Sequence, residues 1–224
     1  MKSKLLVSNK ASLLFVFLAC MFVLSTLVKP YPLSWAVKIL PMLLLIGLAV
    51  SQLGFEKENK YFILGLTLSV CGDFILDHDR EHWFIFGLGA FFIAHLFYLA
   101  SLKPNFKKII QVKYLVKTII YLVYGVSMLL LFAEGLGELF VPVFGYMSIL
   151  LLMALATVLS DKTNIWLIVG GLSFVLSDSL IGFDKFYMTI ENNHFAVMIT
   201  YYFAQFALLT GFVLSKTQAT KKAV

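Results

Sequence analysis

Eight stretches of this chain are almost continuously apolar: about 11–28, 33–53, 61–77, 83–102, 114–132, 139–159, 164–182 and 195–215. A membrane-spanning α-helix needs roughly 17–25 such residues, and each stretch meets that length. Transmembrane β-strands would alternate apolar and polar positions over about ten residues, and these runs do not alternate. The polar breaks between them are short and leave no room for a soluble unit. The pattern predicts an all-α integral membrane protein, with eight transmembrane helices in one bundle and a single domain over 1–224.

Lys2, Lys4 and Lys10 precede the first run, as in a signal peptide. That run is too long for a signal-peptide core and no small-x-small cleavage site follows, so it reads as a retained first helix.

Composition strengthens the membrane reading. The chain is 61% hydrophobic and 13% charged, with a mean hydropathy of +0.93. Soluble domains carry about 25% charged residues. Too little polar surface remains here to cover a water-exposed fold.

Charge sets the expected orientation. The N-terminal segment, the loops after spans 2, 4 and 6, and the C-terminal segment share one side. They hold thirteen basic residues: Lys2, Lys4, Lys10, Lys57, Lys60, Lys103, Lys107, Lys108, Lys113, Lys162, Lys216, Lys221 and Lys222. The other side holds Lys29, Arg80 and Lys185. Basic loops stay in the cytoplasm, so both termini are expected there. The net charge of +6 follows from this asymmetry and calls for lipid headgroups as partners, with no nucleic acid. Cys20 and Cys71 both fall inside spans, which argues against a disulfide, and Cys71 reads as a small packing residue.

Two aspartates interrupt the apolar pattern. Asp73 lies in Gly65-Leu-Thr-Leu-Ser-Val-Cys-Gly-Asp73, and Asp178 in Gly170-Gly-Leu-Ser-Phe-Val-Leu-Ser-Asp178. A charged carboxylate at bilayer depth costs roughly 2.5–3.5 kcal/mol on insertion scales, so each marks a candidate functional site. Both acids sit in the third span of a four-span unit. The halves therefore suggest a parallel four-plus-four repeat, since an even number of spans preserves orientation. Glycine and alanine are dense in spans 3, 4 and 7, which predicts that these three form the bundle centre, with spans 1 and 5 peripheral.

Depth along each span, at about 1.5 Å per residue, groups the polar residues. Lys38, Asp73, Asp178 and Tyr201 fall in one layer below the outer edge of the hydrocarbon. His95 and Gln205 fall nearer the midplane. His95 and Tyr98 share a helix face, as do Tyr201 and Gln205. Polar groups converging from five helices predict an enclosed polar cavity. Lys38 can also reach the interface along its own stem, or serve only as a structural partner of Asp73.

Other chemistry is absent from the sequence. There is no G-x-S-x-G elbow, no H-E-x-x-H helix and no P-loop. Ser69 and Ser177 lie near the acids without a histidine at neighbouring spacing. Asp77, His78, Asp79, Arg80, Glu81 and His82 read as a solvated outer loop, not a metal site.

Four stretches in order resemble the lysoplasmalogenase family, the YhhN-like eight-span proteins: Gly65–Asp73, Gly87-Leu-Gly-Ala-Phe-Phe-Ile-Ala-His-Leu-Phe-Tyr98, Leu176-Ser-Asp-Ser-Leu180 and Thr200-Tyr-Tyr-Phe-Ala-Gln205. One departure is visible. The family has a Lys-Pro pair near the start of span 2, whereas Lys38 is followed by Ile39 and the proline comes at Pro41.

The resemblance implies hydrolysis of the vinyl ether bond of a lysoplasmalogen drawn from the bilayer. The products would be a fatty aldehyde and glycerophosphoethanolamine or glycerophosphocholine. Such bonds break by protonation of the β-carbon, and water then captures the oxocarbenium ion. That chemistry needs a carboxylic acid that keeps its proton, and apolar surroundings disfavour the charged form of a carboxyl. A second, ionised carboxylate would stabilise the cation, a division of labour glycosidases also use. Asp73 and Asp178 would be the catalytic pair, and the one farther from Lys38 the better acid. Lys38, His95, Tyr98, Ser177, Lys185, Tyr201 and Gln205 would bind substrate, with Lys38 or Lys185 meeting the phosphate. No metal or other cofactor is expected, and a bacterial plasma membrane is the expected location. Paired intramembrane acids also suit a proton-coupled transporter, or a purely structural role.

Overall fold

A computed structural model describes residues 10–79 and 81–222, without the side chains of 219–222. Lys2, Lys4 and Arg80 of the charge count lie outside the described residues, as do the side chains of Lys221 and Lys222. Eight α-helices follow one another: α1 (Lys10–Ser25), α2 (Ser34–Leu53), α3 (Lys57–His78), α4 (Phe84–Leu102), α5 (Val112–Leu136), α6 (Phe140–Leu159), α7 (Ile165–Phe186) and α8 (Asn193–Lys222). There is no β-strand among the described residues. In lipid this is the economical solution, because a helix satisfies its backbone amides and carbonyls internally.

Seven segments are long and apolar enough to cross a membrane, and one of them, 112–159, contains both α5 and α6. Its 48 residues would extend about 72 Å as one rod, more than twice the hydrocarbon thickness of about 30 Å. It is broken at Gly137, whose φ of +48° favours glycine, and a short 3-10 turn then leads into α6. The result is a hairpin, and α5 and α6, with 25 and 20 residues, are each long enough to cross on their own.

The helices overrun the predicted spans at several ends. α3 continues through Asp77 and His78, so the outer loop expected to begin at Asp77 starts at Asp79. α7 continues through Asp184 and Lys185, which occupy its last turn instead of lying beyond it. Both overruns carry polar side chains past the apolar stretch on which the spans were drawn.

The centre of the bundle is α8, which corrects the expectation from small residues. In α8, 72% of the membrane-crossing stretch is buried, against 33% in α3, 39% in α4 and 44% in α7. Small residues let helices approach, but a helix surrounded on all sides needs only to be apolar all round. α8 packs most extensively on α7, as α3 does on α4. At Gly211 an added Cβ would stand 2.6 Å from the Leu167 backbone nitrogen, so glycine sets how closely α7 and α8 meet. Asn164 fixes the same end: its Oδ1 caps the amides of Trp166 and Leu167, and its Nδ2 donates to the Gly211 carbonyl at 2.8 Å. One buried apolar cluster draws on every helix except α5, which joins it through the half-buried Tyr121 and Tyr124.

Lysines gather at one end of the bundle. Glu58, on the first turn of α3, meets Lys103 at 2.6 Å, Lys162 at 3.0 Å and Lys216 at 3.3 Å. Nearby, Lys108 lies 2.8 Å from Asp161 and holds that carboxyl below its usual range. Cys20 and Cys71 are free and exposed on the outside of the bundle. Cys71 is therefore not the packing residue expected; it points away from the buried stripe Phe62, Leu66, Ser69, Asp73 and Leu76.

Candidate functional site

The buried stripe of α3 repeats every three to four residues and carries Asp73 inward with it. Asp73 is 2% exposed. Lys38 of α2, 3% exposed, approaches it from across the interface, with Nζ 3.2 Å from Oδ1 and 3.3 Å from the Asp73 carbonyl. Tyr201 of α8 donates to the other carboxylate oxygen at 2.6 Å. Lys38 thus does not snorkel to the interface. Its own backbone is fastened too: Tyr202 donates to the Lys38 carbonyl at 2.7 Å.

Asp178 sits on α7 in a different setting. It is partly accessible, and its hydrogen-bond donor is the Tyr146 hydroxyl of α6. Among the described residues no lysine, arginine or histidine forms an ion pair with it. Asp73 lies within electrostatic reach of it.

One cavity joins the two acids. Lys38, Asp73, Tyr146, Ser177, Asp178 and Tyr201 supply its polar wall. Most of the remaining lining is apolar, from Leu76, Phe91, Met128 and Val143 among others. Its interior volume is about 80 Å³. A few convergent polar groups in an apolar hollow is the usual make-up of a small-molecule site. The Ser177 hydroxyl donates to the Val197 carbonyl at 3.2 Å, which leaves no nucleophile-and-base arrangement around it.

Four predicted site residues are not on this wall. Tyr98 donates to Gln205 Oε1 at 2.7 Å behind the cavity, both fully buried, where Gly65 makes room for the Tyr98 ring. His95 hydrogen-bonds neither acid; its ring sits edge-on to Phe174, with centroids 4.7 Å apart. The depth count had already placed His95 and Gln205 nearer the midplane than the layer of the acids. Lys185 packs over the Phe84 ring at 4.4 Å, at the helix end. Tyr146 was missed. The same depth count, about seven residues into its span, would have placed it level with Tyr201.

Asp77 was also misread as a loop residue. It is buried in the last turn of α3, paired with Lys29 and hydrogen-bonded by Ser34 at 2.5 Å. No cluster of three or more potential metal ligands occurs among the described residues.

Residues 33–212 match the YhhN family, a range that begins at α2 and includes every residue of the cavity. The chain belongs to the YhhN family. Similar proteins include the lysoplasmalogenase of Mycobacterium bovis, 29% identical over 179 residues, or 78% of this chain and 69% of the relative. The Mycobacterium tuberculosis lysoplasmalogenase gives the same figures. Human lysoplasmalogenase TMEM86B is 27% identical over 196 residues, 84% of this chain and 80% of the relative. No solved structure matches.

Proposed function

We propose that this YhhN-family chain is a lysoplasmalogenase, a membrane hydrolase that cleaves the vinyl ether bond of a lysoplasmalogen. The products are a fatty aldehyde and glycerophosphoethanolamine or glycerophosphocholine. The observation that carries the reading is the unequal pair of carboxyls on one apolar cavity: Asp73 with a lysine at 3.2 Å, Asp178 without one.

The asymmetry divides the roles. Lys38 and Tyr201 both bind the Asp73 carboxyl, which assigns it the role of the ionised, charge-stabilising partner. Asp178, partly accessible and without a cationic partner among the described residues, is the general acid. It gives its proton to the β-carbon of the vinyl ether, whose π electrons form the new C–H bond. Positive charge develops on the α-carbon and ether oxygen, within the field of the Asp73 carboxylate. One water adds to the α-carbon and returns a proton to Asp178. The hemiacetal then collapses, its hydroxyl proton passing to the departing glycerol oxygen. A positioned acid of this kind contributes about 10²–10⁴ in rate. Tyr146 orients the acid, Ser177 and Tyr201 border the reacting group, and no metal is needed. The relatives' names lend nothing to a transporter.

The proposal extends to placement. The lysine-rich end around Glu58 faces the cytoplasm with both termini, in the plasma membrane of a bacterium, as the mycobacterial relatives and the charge distribution suggest. Purified protein incubated with a lysoplasmalogen should release long-chain aldehyde. No aldehyde from wild type, or full activity in both Asp73→Asn and Asp178→Asn, would sink the reading.

A further inference from the structure

A second hollow lies along the seam between α5 and α6. Its volume is about 350 Å³, and its lining is apolar apart from Thr118, Tyr121 and Ser148. Leu122, Val126, Phe144 and Leu152 on its rim are 43–62% exposed, so it opens to the lipid side of the bundle. Met147 and Leu151 line both this groove and the cavity that holds the two aspartates. They are one helical turn apart on α6 and form the wall between the two spaces. Opposite Leu151, Gly125 has no side chain: a Cβ there would stand 2.4 Å from Leu151 Cδ1. The wall is thus two flexible side chains facing a glycine.

The groove is also offset in the direction a lipid chain would take. On α5 the cavity is lined by Tyr124, Met128 and Phe132, and the groove continues back to Tyr121 and Thr118. From Tyr124 to Thr118 is about 9 Å along the helix, toward the lysine-rich end. The acids lie toward the opposite end, in the outer halves of α3 and α7, Asp73 five and Asp178 eight residues before the helix ends. A lysolipid with its linkage at the acids would run its chain along this seam.

Resting on the lysoplasmalogenase reading, we propose that the α5–α6 groove takes the hydrocarbon chain of the lysolipid. Met147 and Leu151 are the side gate through which the groove and the cavity become continuous. The seam is then a specificity element: filling it penalises long chains and spares short ones.

Two measurements test this. The first compares kcat/KM for a lysoplasmalogen with a long alkenyl chain and one with a four-carbon chain. Gly125→Leu and, on the more accommodating rim, Ser148→Phe should each lower the long-to-short ratio at least tenfold. An unchanged ratio, with both substrates affected equally or neither affected, overturns the proposal. The second needs no turnover. A lysophosphatidylethanolamine carrying a mid-chain diazirine is photolysed with the protein in vesicles, and the labelled peptides are mapped. Label concentrated on 118–129 and 144–155 supports the groove; label spread evenly over all lipid-facing helices overturns it. A wild type inert toward both substrates counts against the hydrolase reading, and the labelling then decides the groove on its own.

Discussion

Lys38 and Asp73 form an ion pair at 3.2 Å, with both side chains 3% exposed, across the interface of the consecutive helices α2 and α3. Each would be a serious defect without the other. Breaking a buried pair by removing one partner costs about 3–5 kcal/mol, because the remaining charge is left uncompensated. Lys38→Met should therefore lower the unfolding midpoint in detergent sharply. Lys38→Met combined with Asp73→Asn should recover much of that stability while leaving aldehyde release abolished. A double variant as unstable as the single one would show that the pair is not the source of the loss.

Asp178→Asn should separate activity from stability in the opposite way. Asp178 is accessible, and Tyr146 can donate to the asparagine oxygen as it does to the carboxylate. A stability change below about 1 kcal/mol is expected. The rate should fall at least about 10²-fold, the lower range for loss of a positioned acid. Single-turnover aldehyde release and thermal unfolding measured on the same preparation check both halves.

Tyr146→Phe removes the hydroxyl that donates to Asp178 and should cost about tenfold in kcat, equivalent to about 1.4 kcal/mol. Tyr98→Phe deletes a hydroxyl of similar burial that donates to Gln205 and contacts neither acid. It leaves a buried amide oxygen unpaired and should cost about 1–3 kcal/mol of stability, with kcat of the folded enzyme near wild type. Equal losses of kcat in the two variants would mean that the Tyr98–Gln205 pair takes part in the reaction after all.

Helix approach can be tested at Gly211, where a Cβ would meet the Leu167 backbone at 2.6 Å. Backbone cannot swing aside, so Gly211→Ala should destabilise by about 1–3 kcal/mol. At Gly89 nothing lies within 4 Å of the added carbon, and Gly89→Ala should be neutral or slightly stabilising. Parallel melting curves of the two variants decide this.

The sequence by itself determined the class of fold and the two acids. Eight apolar runs of spanning length admit little else in a bilayer, and an aspartate inside such a run is costly enough to stand out alone. Depth counting also worked for Lys38, Asp73, Asp178 and Tyr201, because depth depends only on distance along a helix. What it could not supply was rotation about each helix axis. Tyr98, His95 and Gln205 do not line the cavity, whereas Tyr146, at the depth of Tyr201, does and passed unnoticed. Only the tertiary structure decided that α8 is the central helix and that Lys38 pairs with Asp73 and leaves Asp178 without a cation. The physical reason is that small residues and apolar faces allow many helix neighbours. Which neighbours meet is set by packing summed over the whole bundle, and no single span encodes it.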